Sequence, residues 1–149
     1  MKRLNKKNAI ISGAASGIGK AITQRFSSEG ASVVIADYAK DKADVLAKNL
    51  ASKGANTFPI YFSADNLESC RQLINSVFEH YGQIDILINN IGGSNLTLDK
   101  DIEHLDINYF DEIFHINIRC ATYLTQLVIP FLERQNGGNI INIASISGI

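Results

Sequence analysis

The sequence predicts an α/β protein built on a doubly wound parallel sheet, and three observations carry that expectation. Five short apolar runs alternate with longer segments of helical period. Most of the runs are continuous in Ile, Val and Leu, as strands covered on both faces are. A glycine follows each of the first three helical segments, where a left-handed cap residue belongs. The candidate strands are Asn8–Ser12, Ser32–Asp37, Thr57–Ala64, Ile84–Asn90 and Asn139–Ala144. The candidate helices are Ile18–Glu29, Lys40–Lys53, Leu67–Tyr81 and Tyr109–Arg134, with Gly30, Gly54 and Gly82 after the first three. Asn136-Gly137-Gly138 turns the chain after the fourth. Such a βαβ series winds right-handed into one sheet with helices on both faces.

Composition narrows the class further. The chain has 149 residues, 46% of them hydrophobic, with 14 basic and 15 acidic side chains. That length suits one domain, which can bury roughly 68–70% of the surface its unfolded chain exposes. The apolar content is too high and the net charge of −1 too small for a disordered chain. A near-neutral balance argues against a nucleic-acid platform, since the one basic cluster, Lys2-Arg3 with Lys6-Lys7, reads as a solvated end. No apolar stretch reaches the ~18 residues of a membrane span, and Asn8–Ser12 is too short for a signal-peptide core. Cys70 and Cys120 lie inside helical patterns, which favours buried free thiols over a disulfide. A cytoplasmic setting follows as an expectation.

The chemistry begins in Ser12-Gly13-Ala14-Ala15-Ser16-Gly17-Ile18-Gly19, between the first strand and the first helix. Glycines allow a sharp turn and close approach to a pyrophosphate, and a helix start offers unpaired N–H groups and a positive dipole end. A bare tight turn would use the same glycines. The context favours the dinucleotide reading: a strand before, a helix after, and Asp37 placed 18 residues beyond Gly19. A triphosphate-binding loop is excluded. Ala14 stands where its first glycine belongs, and Ala21 replaces the Ser or Thr that would hold magnesium. At the end of the second strand the Asp37 carboxylate can accept both ribose hydroxyls of an adenosine. Its charge would repel a 2′-phosphate, and neither Ser16 nor Tyr38 adds a cation. NAD is expected over NADP.

With these residues in view the chain resembles the short-chain dehydrogenase/reductase family. Gly13-x3-Gly17-Ile18-Gly19 is that family's glycine spacing. Asp65-Asn66 stands where the family places an Asp near the adenine. Asn89-Asn90-Ile91-Gly92 looks like its Asn-Asn-Ala-Gly segment, with a bulkier Ile91 for the usual Ala. Asn117 sits where the family keeps an active-site Asn. Asn142-Ile143-Ala144-Ser145-x2-Gly148 looks like the strand that carries its catalytic Ser. The resemblance spans essentially the whole chain. It implies a Rossmann domain over 1–149 and hydride transfer between NAD(H) and a small-molecule alcohol or ketone. Ser145 and Asn117 are then the catalytic candidates. The cofactor set comprises Ser12, Gly13, Ser16, Gly17, Ile18, Gly19, Asp37, Asp65, Asn66, Asn89, Asn90 and Gly92.

The resemblance also implies a Tyr-x3-Lys pair about a dozen residues after Ser145, past Ile149. A free phenol titrates near 10, so the family's Tyr needs its Lys to form phenolate at neutral pH. The Tyr38-x3-Lys42 match lies at the adenosine end and reads as chance. The expectation is therefore an incomplete fold, either the N-terminal part of a longer enzyme or a shortened gene product that needs a partner. The rivals are a non-catalytic nucleotide-binding or regulatory module and an S-adenosylmethionine-dependent methyltransferase, a chemistry with no use for Ser145 and Asn117.

Other features carry less. His80, His104 and His115 lack partners at ligand spacing, so no metal site is expected. Asn95-Leu96-Thr97 matches a glycosylation sequon by chance. Gly92–Asp106, the longest stretch without period, leaves the edge where ligands of such sheets bind. The segment Tyr109–Arg134 is apolar over more than the ~100° stripe that one sheet face needs. A homo-oligomer through this helix is expected, as the family resemblance also implies.

Overall fold

A computed structural model of the chain describes residues 2–145. Its elements follow in the order β1 (Asn8–Ser12), α1 (Gly17–Ser28), β2 (Ser32–Asp37), α2 (Lys40–Ala51), β3 (Thr57–Tyr61), α3 (Leu67–Tyr81), β4 (Ile86–Asn89), α4 (Ile107–Phe114), a π turn (His115–Arg119), α5 (Cys120–Arg134) and β5 (Asn139–Asn142). All pairings are parallel, and the strands lie in the order β3-β2-β1-β4-β5. The direction of winding reverses between β1 and β4, which opens a crevice at their carboxyl ends.

Alternation along each strand divides the core into two layers. Ala9, Ile11, Val33, Ile35, Ile86 and Ile88 point to one face, where Ala43, Leu46, Ala47 and Leu50 of α2 cover them with the hydrophobic side of α1. Ile10, Val34, Ala36 and Leu87 point to the other, against Cys70, Leu73, Ile74 and Val77 of α3 and Cys120, Leu124, Val128 and Leu132 of α5. Burial on both sides is why these strands read as unbroken apolar runs. Pro59, which cannot donate to a ladder, sits on the edge strand β3. Gly30, Gly54 and Gly82 all adopt positive φ, as the cap reading expects.

Several boundaries differ from the sequence reading. The third strand stops at Tyr61, not Ala64, because its partner β2 ends opposite it at Asp37. The fifth stops at Asn142, not Ala144, where Asn89 ends β4. The fourth begins at Ile86, not Ile84, because Asp85 turns its carboxylate to the Asn8 N–H at the start of β1. The single fourth helix is two α-helices joined by the π turn, and it begins at Ile107. Helical period alone does not locate one residue inserted into a turn.

At the opposite end of the sheet Asp85 ties three segments together. Its buried carboxylate accepts from Lys7 Nζ at 2.9 Å, the Asn8 backbone N–H at 2.9 Å and Gln83 Nε2 at 2.8 Å. Its carbonyl accepts the Asn139 N–H at the start of β5. Nearby, Arg3 holds the Glu29 carboxyl down at about 2, well below the usual carboxylate range. Asp85→Ala would bury an unpaired Asn8 N–H and is expected to cost about 2–4 kcal/mol. Lys7→Met, at a half-exposed partner, is expected to cost under about 1 kcal/mol. Urea unfolding of both variants checks this. Equal costs would show that the carboxylate is not the element that matters.

Candidate functional site

The crevice between β1 and β4 is built on one clamp. Ser12 Oγ, at the end of β1, donates to the Ile88 carbonyl at 3.2 Å and accepts the Asn90 and Ile91 N–H groups at 3.0 and 3.3 Å. Asn90 Nδ2 returns to the Ser12 and Gly13 carbonyls at 3.0 and 3.2 Å. The two strand ends are thereby locked edge to edge. Ile91 packs on the α3–α5 side of the core and against Gly13.

Above the clamp the glycine loop folds back on itself. A Cβ on Gly19 would lie 2.0 Å from the Gly13 carbonyl oxygen and 2.6 Å from Asn90 Nδ2, so no side chain fits there. A Cβ on Gly17, by contrast, would meet nothing within 4 Å, which leaves that side of the loop open. Ser16 is the N-cap of α1, but its side chain makes no capping hydrogen bond. The first turn of α1 therefore presents its N–H groups beneath an open rim, with Ile18 exposed beside them. An anionic pyrophosphate fits this cradle in both shape and charge.

Asp37 is only 3% exposed. One carboxylate oxygen accepts the Ala15 N–H of the glycine loop at 2.8 Å, and the other accepts the Ala39 N–H at 2.9 Å. The acid thus ties the glycine loop to the start of α2. Tyr38, beside it, is three-quarters exposed. Asp65 accepts a hydrogen bond from the Ser63 hydroxyl. Asn66 caps α3 by accepting the Glu68 N–H at 2.9 Å, so its side chain is spent on the helix.

On the other side of the crevice Asn117 sits within the π turn. Its Oδ1 accepts the Gly93 N–H at 2.9 Å and its Nδ2 donates to the Gly93 carbonyl at 3.1 Å. This pair of bonds fixes the strand that leaves Gly92 against the helix. A Cβ on Gly92 would come within 3.3 Å of Asn117 Oδ1. The loop beyond is tethered at Asn95, whose N–H donates to the Tyr109 hydroxyl at 2.6 Å. It carries Leu96, Leu98 and Ile102 exposed to solvent.

The structure brings Ser12, the glycine loop, Asp37 and Asn90 together, and Asn117 onto the loop that follows them. Asn89 is not aimed into this crevice. Its Nδ2 donates to Thr125 Oγ1 at 3.1 Å, Asn142 Oδ1 at 2.9 Å and the Ala121 carbonyl at 3.4 Å, tying β4 to α5 and β5. Its Oδ1 is buried without a hydrogen-bond donor. Ser145 is exposed three residues past β5, and residues 146–149 of its motif lie outside the described residues. Sequence reasoning missed the π turn and the Asn95–Tyr109 tether. Among the described residues, no three His, Cys, Asp or Glu groups converge as a metal ligand set, and no helix is long and apolar enough to cross a membrane.

Comparison with known proteins gives a consistent result. Residues 7–149 match the family model of the short chain dehydrogenases. A 7α-hydroxysteroid dehydrogenase of Bacteroides fragilis is 55% identical over all 149 residues, which cover 58% of that protein. A 3-oxoacyl-[acyl-carrier-protein] reductase of Thermotoga maritima is 33% identical, with 99% of this chain and 58% of the relative covered. Among solved structures, a 7α-hydroxysteroid dehydrogenase complexed with NADH and 7-oxo glycochenodeoxycholic acid superposes with a TM-score of 0.92 at 32% identity. That match covers 98% of this chain and 56% of the other. The chain spans less than three-fifths of the length of these relatives. It belongs to the short-chain dehydrogenase family.

Proposed function

We propose that the chain forms the dinucleotide-binding part of an NAD(H)-dependent oxidoreductase acting on an alcohol/carbonyl pair. The observation that carries this reading is the glycine cradle at the β1–β4 crevice with Asp37 holding its adenosine end. Gly13, Gly17, Ile18 and Gly19 hold the pyrophosphate, Asp37 the ribose, Asp65 the adenine edge, and Asn90 to Gly92 flank the nicotinamide side. When bound, the cofactor supplies or accepts the hydride. Ser145 donates a hydrogen bond to the substrate oxygen, and Asn117 keeps the Gly93 backbone in place beside it. The proton on that oxygen is exchanged with a Tyr-Lys pair contributed by the longer protein.

The substrate class is part of the proposal. The Bacteroides relative supports a 7α-hydroxysteroid, and so do the exposed Leu96, Leu98 and Ile102 on the loop next to Gly93. A rigid apolar substrate would cover them. We also propose association between two copies through α4 to α5. Tyr123 and Leu127 pack on the core, but Phe110, Phe114, Ile118 and Ile129 remain exposed, more apolar surface than a solvated helix face carries.

Three measurements test these readings. In fluorescence titrations NADH is expected to bind more tightly than NADPH, and Asp37→Ala to narrow the gap. Gly19→Ala is expected to weaken NADH by more than about tenfold, or 1.4 kcal/mol, through its clash with Gly13. Equal affinity for the two cofactors in the unaltered protein sinks the role given to Asp37. For substrate, the full-length protein with NAD should oxidise a 7α-hydroxy bile acid and leave the 7β epimer untouched. Turnover of a 3-oxoacyl thioester, with none on the steroid, overturns the steroid reading and leaves the cofactor reading standing. For assembly, light scattering at micromolar concentration should find dimers or larger species, which Ile118→Asp and Ile129→Asp dissociate. A monodisperse monomer rules out the interface.

A further inference from the structure

Residues 94–105 leave the crevice and return to α4, and their hydrogen bonds to the rest of the fold converge on one side chain. Tyr109, in the first turn of α4, is only 6% exposed, yet it belongs to neither apolar layer of the sheet. A hydroxyl buried this far needs partners, and here both are backbone groups of one loop residue. It accepts the Asn95 N–H at 2.6 Å and donates to the Asn95 carbonyl at 3.2 Å. That carbonyl also accepts the Leu98 and Asp99 N–H groups at 2.8 and 2.9 Å. The Asn95 side chain accepts from the Thr97 N–H and hydroxyl. The phenol thus sits at the hub of the turn that carries Leu96 and Leu98. Among the described residues, no other hydrogen bond or ion pair joins 94–105 to another part of the chain. The His104–Asp101 contacts stay within the loop.

The helix start and the π turn act together on this segment. Asn117 exchanges two hydrogen bonds with the Gly93 backbone, and Tyr109 exchanges two with that of Asn95. Alternate residues of the departing chain are thus pinned by side chains eight residues apart on the helix. In an unbroken α-helix of 3.6 residues per turn, eight residues leave two side chains about 80° apart around the axis. The wider π turn from His115 to Arg119 takes up part of that angle, and both side chains reach the loop.

We infer that Tyr109 is a positioning residue for substrate: its hydroxyl holds the loop that presents Leu96, Leu98 and Ile102 as an apolar cover, and so sets the affinity for a bulky alcohol. The specificity role rests on the substrate reading proposed above; the anchoring of the loop does not. Leu96 and Ile102 are 82% and 88% exposed, so the fold itself makes little use of them. Ordering a free loop at the moment of binding is unfavourable, whereas an anchored cover meets the substrate already in place. Tyr109 makes no hydrogen bond to the glycine loop, Asp37 or Asn117. Loss of its hydroxyl therefore weakens substrate binding and leaves the dinucleotide cradle and the hydride step as they are.

The test uses the full-length protein with Tyr109→Phe, which keeps the ring and removes the hydroxyl, and Leu96→Ala. In Tyr109→Phe the amides of Asn95, Leu98 and Asp99 are expected to lose protection from hydrogen exchange, while those of β1 and β4 keep theirs. With NAD and a 7α-hydroxy bile acid, its KM is expected to rise about five- to tenfold, the worth of roughly one net hydrogen bond. Its kcat and NADH affinity should stay within about twofold of the unaltered protein. Leu96→Ala should raise KM by itself. In the double variant the two rises should fall short of their product, because both act through one cover. An unchanged KM, a fall in kcat at constant KM, or a fully multiplicative double variant overturns the specificity role. Unchanged exchange at Asn95, Leu98 and Asp99 overturns the anchor, and lost protection throughout the sheet assigns the hydroxyl to folding instead. A protein that turns over no bile acid refutes the substrate reading and the specificity role with it, while exchange still decides whether Tyr109 anchors the loop.

Discussion

The hydrogen bonds of Ser12 and Asn90 join the ends of β1 and β4 at the one place where the sheet reverses its winding. Everything the crevice holds depends on that closure. Backbone N–H groups at the end of a parallel strand run out of ladder partners, and here Ser12 Oγ takes up two of them. Asn90 in turn occupies the Ser12 and Gly13 carbonyls, so the loop leaves β1 already bent. Gly19 then has to lie on the Gly13 carbonyl. Without the clamp the cradle would need ordering at the moment of binding, at a cost of about 1–2 kcal/mol for each residue fixed.

The second constraint is the sharing of one sheet between two helical layers. β-strands alternate sides, so each strand must supply apolar residues to both, and the chain cannot be amphipathic there. That is why the strands were legible as unbroken runs. Their ends were not, because a strand stops where its neighbour stops. Phe62 is wholly buried, yet its N–H reaches the Asp37 carbonyl after the ladder has ended. Ile84 is equally buried but precedes the first paired residue of β4. Burial marked these residues as strand-like, and register excluded them.

The site was legible in type more than in role. Gly19, which admits no side chain, and the glycines before it left a spacing that could be read directly. Polar residues at strand ends did not, since the same Asn or Ser serves a ligand or its own backbone. Ser12, Asn66 and Asn89 all stand where cofactor contacts were expected. Ser12 closes the clamp, Asn66 caps α3, and Asn89 binds α5 and β5. The π turn around Asn117 left only an indirect trace. Ile113, Phe114, Ile116 and Ile118 crowd too closely for one helical stripe, and a widened turn re-aims part of that set.

Asp37 shows how one side chain can serve the structure and, in the proposed site, selectivity as well. A carboxylate this deeply buried is tolerated only with donors on its oxygens, and the Ala15 and Ala39 N–H groups provide them. Those donors belong to the loop and to the start of α2, so the charge that would discriminate between cofactors in the proposed site also fixes these two segments. Each oxygen has a further lone pair for a ribose hydroxyl. A 2′-phosphate in the same place would meet an acid that cannot turn away without releasing the glycine loop. On the proposed reading, changing cofactor preference would require more than removing the charge. The loop must be given another acceptor for the Ala15 N–H, or the cradle loses the preorganisation that the clamp below it supplies.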